Sequence, residues 1–413
     1  MTDSGLDAVW RSCAPRVLAA LVRRYGDFDT AEDALQEGLL AASRQWPETG
    51  VPDDPTAWLV TVASRRLVDQ WRADRARAER EQALARHTPP DELVAPGPDR
   101  SVAVDDSVTL FVLCCHPALP RAAQVALTLR AVGGLSTTQI ARAFLLPKST
   151  MAQRISRAKA RLQQVGARFT APSAHEMPDR VEAVAQVLYV IFTEGHTTTD
   201  GAGLYDVSLT DEAIRLTRQL HAHLPDAGEI TGLLALMLLT DARRAARLSV
   251  EGTLVPLTEQ DRTLWDQAKI GEGVGLVEAT LPTGTVGPYQ LQAAIAAVHA
   301  EAARADDTDW VEIETLYAML ERIAPGPVVT LNHAVAVAMV DGPAAGLRMI
   351  EPLAEDNQLR RNHRLYAVRA HLFEMDGQQG AARADYAVAA RLTTSIPEQR
   401  YLNTKAERIV AAR

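Results

Sequence analysis

Between Asp106 and Glu176 the chain runs for 69 residues without an acidic side chain, and a helix stop and a helix start sit in the middle of that run. Nine lysines and arginines fall there, six of them between Arg142 and Arg161. Apolar spacing predicts a helix from Arg121 to Val132, which Gly133-Gly134 ends. Ser136-Thr137-Thr138-Gln139 then fits the S-x-x-Q capping box that opens another helix. A turn at Leu146-Pro147 leads into a last basic helix over about Ser149 to Val165. A helix of about nine residues, a short turn and a second helix is the spacing of a helix-turn-helix.

In the last helix Met151, Ile155, Ala158 and Leu162 form one apolar stripe, expected to face Ile140, Ala141 and Phe144. Arg154, Arg157 and Arg161 fall on another face, and Ser149, Thr150 and Gln153 sit at the N-terminal end, which enters the major groove in this motif. Base contacts are therefore assigned to Ser149, Thr150, Gln153 and Arg154, and phosphate contacts mainly to Arg157, Lys159 and Arg161. The plain alternative is a solvated basic face. The capping box, the turn and the absence of acid together favour DNA.

At 413 residues the chain should hold two or three domains. Its alanine and leucine richness and 5% aromatic content point to an all-α fold. Net charge is -9 overall, but residues 1–170 carry 22 bases against 19 acids (+3) and residues 171–413 carry 21 against 33 (-12). No apolar run reaches 18 residues and the N-terminus is acidic, so a cytoplasmic protein with no membrane partner is expected. Cys13, Cys114 and Cys115 cannot build a disulfide framework. Cys114, Cys115 and His116 are read as buried packing in preference to a redox or metal site.

The pattern divides into a helical segment over 6–79, a proline-containing linker over 80–106, the helix-turn-helix domain over 107–170 and a helical extension over 174–413. Breaks are expected at Trp46-Pro47, at Pro52 to Pro55, at the polar loop Gly195 to Gly201 and over Val250 to Leu257. Asp341-Gly342 and Asp376-Gly377 each separate two apolar helices, 35 residues apart, the period of stacked helix pairs of tetratricopeptide type. The tryptophan and glycine signature of that repeat is incomplete.

Asp27-Phe28-Asp29-Thr30-Ala31-Glu32-Asp33-Ala34-Leu35-Gln36-Glu37, followed by Pro55-Thr56-Ala57-Trp58-Leu59 through Asp69-Gln70-Trp71-Arg72, resembles region 2 of extracytoplasmic-function (ECF) sigma factors of the sigma-70 family. The segment from Leu119-Pro120-Arg121 to Ser156-Arg157-Ala158-Lys159-Ala160-Arg161-Leu162 resembles their region 4. The resemblance covers about 140 residues in the family's order. It implies core RNA polymerase, through its β′ clamp and β flap, and promoter DNA as partners. It makes Asp33, Gln36 and Glu37 the polymerase-binding face. Arg65, Arg66, Arg72 and Arg75, with Trp71, become the minus-10 helix, a cationic face with an aromatic platform for unpaired bases. Trp58 is read as core. Three departures stand out: Gln139 where glutamate is common, Leu146-Pro147-Lys148 in place of a glycine turn, and about 240 residues after region 4. The last places the chain with members whose long C-terminal helical extension stands in for a separate anti-sigma factor.

No catalytic residue, cofactor or metal is assigned. Glu194, His196 and Asp200, with the basic patch Arg243, Arg244 and Arg247, match no nucleophile, metal or phosphate-loop spacing. The expected function is promoter-specific initiation, with the acidic extension regulating it in cis through contact with the sigma domains. Two alternatives stay open: a DNA-binding regulator acting without polymerase, and a helix-turn-helix fused to an enzyme.

Overall fold

The computed structural model describes residues 3–26, 28–82, 107–144, 146–167, 169–170, 172–197, 206–249, 252–281, 286–355 and 359–411, without the side chains of 3–8, 11–12, 70–71, 73–82 and 410–411. These residues form 18 α-helices, and the one extended pairing among them is an isolated bridge between Leu248 and Leu254. None of these helices is long and apolar enough to cross a membrane. The chain divides into two compact units, 1–187 and 188–413.

The first unit opens with α1 (Asp3–Tyr25), α2 (Phe28–Thr49) and α3 (Pro55–Gln82), which pack around Leu18, Leu21, Leu35, Leu59 and Leu67. α2 runs through the break expected at Trp46-Pro47 and stops at Gly50, whose φ of 84° admits the N–H···O bond to the Trp46 carbonyl. A proline this near a helix end removes one hydrogen bond where the ladder is about to finish, so the last turn survives. α3 starts with Pro55 in its first turn and the Asp54 carboxylate accepting from the Ala57 N–H at 2.9 Å. It continues past residue 79 to Gln82; the rest of the expected linker, 83–106, lies outside the described residues.

The chain resumes in α4 (Ser107–Cys114), α5 (Arg121–Ala131), α6 (Thr137–Ala143) and α7 (Lys148–Gln164). α4 packs on α1 and on α5, burying Leu110 and Phe111 completely. Cys114 and Cys115 are buried with them, and burial pushes both thiols up, Cys115 to about 12. Arg121 ties α5 to the start of α8 (Met177–His196), donating to the Ala183 carbonyl at 3.1 Å and to the Gln186 side chain.

The second unit takes the rest of α8 and continues through α9 (Val207–His223), α10 (Gly228–Asp241), α11 (Gln267–Thr280), α12 (Pro288–Glu301), α13 (Trp310–Ile323), α14 (Pro327–Asp341), α15 (Pro343–Ile350), α16 (His363–Met375), α17 (Gln379–Leu392) and α18 (Ile396–Ala411). From α12 onward each helix packs on the next, the stacked arrangement that the 35-residue period predicts. Gly342 and Gly377 make the inter-helix turns at φ 92° and 74°. α10 is apolar on every side and is accordingly buried on nearly every side. It lies close against α12: a Cβ on Gly232 would come within 2.6 Å of the Gln290 backbone nitrogen.

Candidate nucleic-acid interface

The helix-turn-helix rests on its capping box. Ser136 Oγ accepts from the Gln139 N–H at 3.2 Å, and Gln139 Oε1 accepts from the Ser136 N–H at 2.8 Å. A glutamine thus serves the cap as a glutamate would, because the cap needs only an acceptor oxygen. Gly134, at φ 68°, closes the preceding helix, and the Leu146 N–H bonds the Ala141 carbonyl at 2.8 Å to shape the turn into α7. Met151, Ile155, Ala158 and Leu162 are buried, as are Ile140 and Ala141 opposite; Phe144 is half-buried.

With that stripe fixed, Ser149, Thr150, Gln153, Arg157 and Arg161 stand exposed and Arg154 is partly exposed. Lys159 is placed apart from them. Its Nζ lies 2.7 Å from Asp29 Oδ1 and 2.5 Å from Glu32 Oε2, and its side chain is only 12% exposed. Arg130 reaches the other oxygen of Glu32 at 2.5 Å and donates to the Leu135 carbonyl at 3.2 Å. Two carboxylates of α2 therefore clasp cations from α5 and α7, joining the two halves of the first unit. Burial works to raise the Glu32 carboxyl, yet the Lys159 and Arg130 charges outweigh it and hold the group below its usual range. Burial likewise pulls Lys159 down, and Glu32 and Asp29 more than restore it, leaving it raised. The phosphate contact expected of Lys159 is occupied here by protein carboxylates. The signal was in the spacing: 159 is four residues after Ile155 and three before Leu162, on the flank of the buried stripe. Glu32, which the sequence reading left out, sits in α2 between Ala31 and Ala34, both buried.

On the outer side of α2, Asp33 and Glu37 are exposed and Gln36 half-exposed, with Leu40 50% exposed one turn on. This gives an acidic face with an apolar foothold. Arg65, Arg66 and Arg72 are exposed along α3, Arg72 at 3.8 Å from Asp69 across an open surface, a pairing worth little. The side chains of Trp71 and Arg75 lie outside the described residues. Trp58, expected in the core, is half-buried and packs edge-on against buried Trp46, ring centroids 5.4 Å apart.

In the second unit the expected polar loop begins later than predicted, because Gly195 and His196 finish α8. His196 stacks on Phe192 at 5.3 Å, and burial, reinforced by Arg247, Arg243 and Arg244, pulls its imidazole down to about 2. It is a packed neutral ring. Asp200 lies outside the described residues, so the Glu194, His196 and Asp200 grouping cannot be assembled from them.

Three family models match. Residues 9–77 match sigma-70 region 2, residues 112–162 match sigma-70 region 4, and residues 180–281 match a family of unknown function, DUF6596. An uncharacterized protein of Rhizobium meliloti (strain 1021), R00370, is 41% identical across 100% of this chain and 97% of its own length. A probable ECF RNA polymerase sigma factor, SigI, of Mycobacterium tuberculosis (strain ATCC 25618 / H37Rv) is 31% identical over 160 residues, 38% of this chain and 54% of that protein. No solved structure matches the chain. With regions 2 and 4 in order and the helical extension behind them, the chain belongs to the extracytoplasmic-function group of the sigma-70 family, among the members that carry a long C-terminal helical extension.

Proposed function

We propose that the chain binds core RNA polymerase and directs promoter-specific initiation, region 2 engaging the minus-10 element and region 4 the minus-35 element. The observation that carries this reading is the exposed row Ser149, Thr150, Gln153, Arg157 and Arg161 on a helix whose opposite stripe is buried, in a chain that also presents the acidic face of Asp33 and Glu37. A regulator acting without polymerase has no use for the second face. Asp33, Gln36 and Glu37 meet the β′ clamp, region 4 approaches the β flap, and Arg65, Arg66, Trp71, Arg72 and Arg75 hold the opened minus-10 strand. The polymerase supplies the chemistry, and the reaction takes place in the cytoplasm where chromosome and polymerase are.

Bridging two promoter elements requires the halves of the first unit to separate, so the clasp of Lys159 and Arg130 on Glu32 opens on engagement and frees Lys159 for phosphate. The segments 6–79, 107–170 and 174–413 act as promoter-melting, promoter-reading and regulatory parts. The charge split of +3 against -12 supports regulation in cis by the last.

Transcription in vitro with core polymerase tests the reading. The full chain should give promoter-specific transcripts, and reversing Asp33 and Glu37 to lysine should abolish them while leaving duplex binding in place. Loss of DNA binding with transcription intact would refute it. Removing residues 188–413 should change the transcript yield; an unchanged yield would exclude regulation by the extension.

A further inference from the structure

The arginine patch at 243, 244 and 247 resolves into two settled members and one unsettled. Arg244 bridges Asp241 at 2.7 Å and Asp211 at 2.6 Å. Arg247 donates to the His196 carbonyl and, at 3.1 Å, to the Thr197 hydroxyl. The Arg243 guanidinium makes no hydrogen bond or ion pair with any described residue. It instead lines a cavity of 490 Å³ within the second unit, walled by side chains of α10, α12, α13, α14, α16 and α18. That volume suits a small metabolite.

The cavity's other lining groups are matched to an anion. Lys405 adds a second cation, held only loosely by Glu374 at 3.5 Å. Among the described lining residues the one carboxylate, Glu259, is exposed. Arg262, close enough to act on Arg243, donates to the neutral carbonyls of His299 and Ala302. Burial, with the charges of Arg247 and Arg262, pulls Arg243 down to about 10, the mark of a cation that lacks a counter-charge. Burial, then Arg243 and Arg262, takes the His299 imidazole down to about 4, so it is neutral at pH 7. Burial keeps the Tyr317 and Tyr401 phenols up at about 12, hence protonated. Trp310, edge-on to His299 at 5.2 Å, adds a flat apolar wall.

We propose that this cavity is a binding site for a small aromatic carboxylate, its carboxylate seated on Arg243 with Lys405 as second cation, and its ring lodged against Trp310 and the two tyrosines. A planar carboxylate matches the guanidinium fork with two parallel hydrogen bonds. The phenols and amide side chains around it would fix orientation. The site belongs to the second unit alone, so its failure would leave the sigma-factor reading untouched.

The test is displacement of 8-anilinonaphthalene-1-sulfonate from the full chain by 4-hydroxyphenylacetate, by its neutral amide and by inorganic phosphate. The acid should displace the dye at least tenfold better than either competitor. Arg243→Met should erase the preference for acid over amide, and Lys405→Met should reduce it by a smaller factor. Equal displacement by acid and amide, displacement by phosphate as effective as by the acid, no dye bound at all, or an unchanged preference in Arg243→Met would each overturn the proposal. A thermal melt guards the variant: Arg243→Met should melt at or above the parent temperature, and a lower melt would make Arg243 a structural residue and refute the site.

Discussion

Lys159 in the first unit and Arg243 in the second are both cations drawn out of water, and they have opposite fates. Lys159 is met by Asp29 and Glu32 within 2.7 Å, and its ammonium is held above the ordinary value in spite of burial. Arg243 meets no carboxylate among the described residues and is pulled down to about 10. Burial by itself disfavours charge; what separates the two is whether the fold supplies the counter-charge. A cation with its partner built in holds the protein together, whereas one without a partner is a place for something else to bind.

The largest expected effect comes from making Lys159 resemble Arg243. Glu32→Ala strands both Lys159 and Arg130 and should cost about 3 to 5 kcal/mol of stability by urea unfolding; a loss under about 1 kcal/mol would show that the clasp is ornamental. The same pair sets a pH dependence. Because the Glu32 carboxyl is lowered, its contribution is present above its ordinary value of 4.5 and is lost as pH falls through the lowered one. Because Lys159 is raised, its share is complete below its ordinary value of 10.5 and disappears only as pH climbs through the raised one. Melting temperature should hold through neutral pH and fall in acid, with Glu32→Gln flattening the acid arm; an acid arm of equal steepness in that variant would assign it to other groups.

The converse change, Arg243→Met, removes a cation whose guanidinium has no partner among the described residues and should stabilise the protein by about 1 kcal/mol. Calorimetry would decide, and a destabilised variant would erase the contrast with Lys159. Smallest in stability is Arg157→Ala, since Arg157 shares α7 with Lys159 but stands in solvent: within about 0.5 kcal/mol of the parent. Its effect should appear in mobility shifts over a salt series, where the slope falls by about one counter-ion for every DNA sequence alike. Gln153→Ala should change sequence preference with the slope intact.

The all-α fold, the capping box at Ser136 and Gln139, and the buried stripe from Met151 to Leu162 were legible because each depends on residues within about one or two helical turns of each other. The turn glycines at 342 and 377 were legible for the same reason. Pro47 misled because a proline's cost depends on how much helix follows it, and only two more residues do. The clasp on Lys159 was hidden because a basic window assigns all its cations one role, and the carboxylate that holds this one lies 127 positions earlier at Glu32. The arginine patch was visible in sequence as a patch, with nothing to separate Arg243 from its two neighbours.

Apolar period, caps and motif spacing are local properties of the chain, and they suffice to set the helices, the order of the two sigma regions and the long extension after them. Which charges are spent inside the protein depends instead on how distant helices pack. A carboxylate within about 3 Å can convert a cation's burial from a penalty into a bond, and that distance is set by packing between helices far apart in sequence. It gave Lys159 two such neighbours and Arg243 none among the described residues.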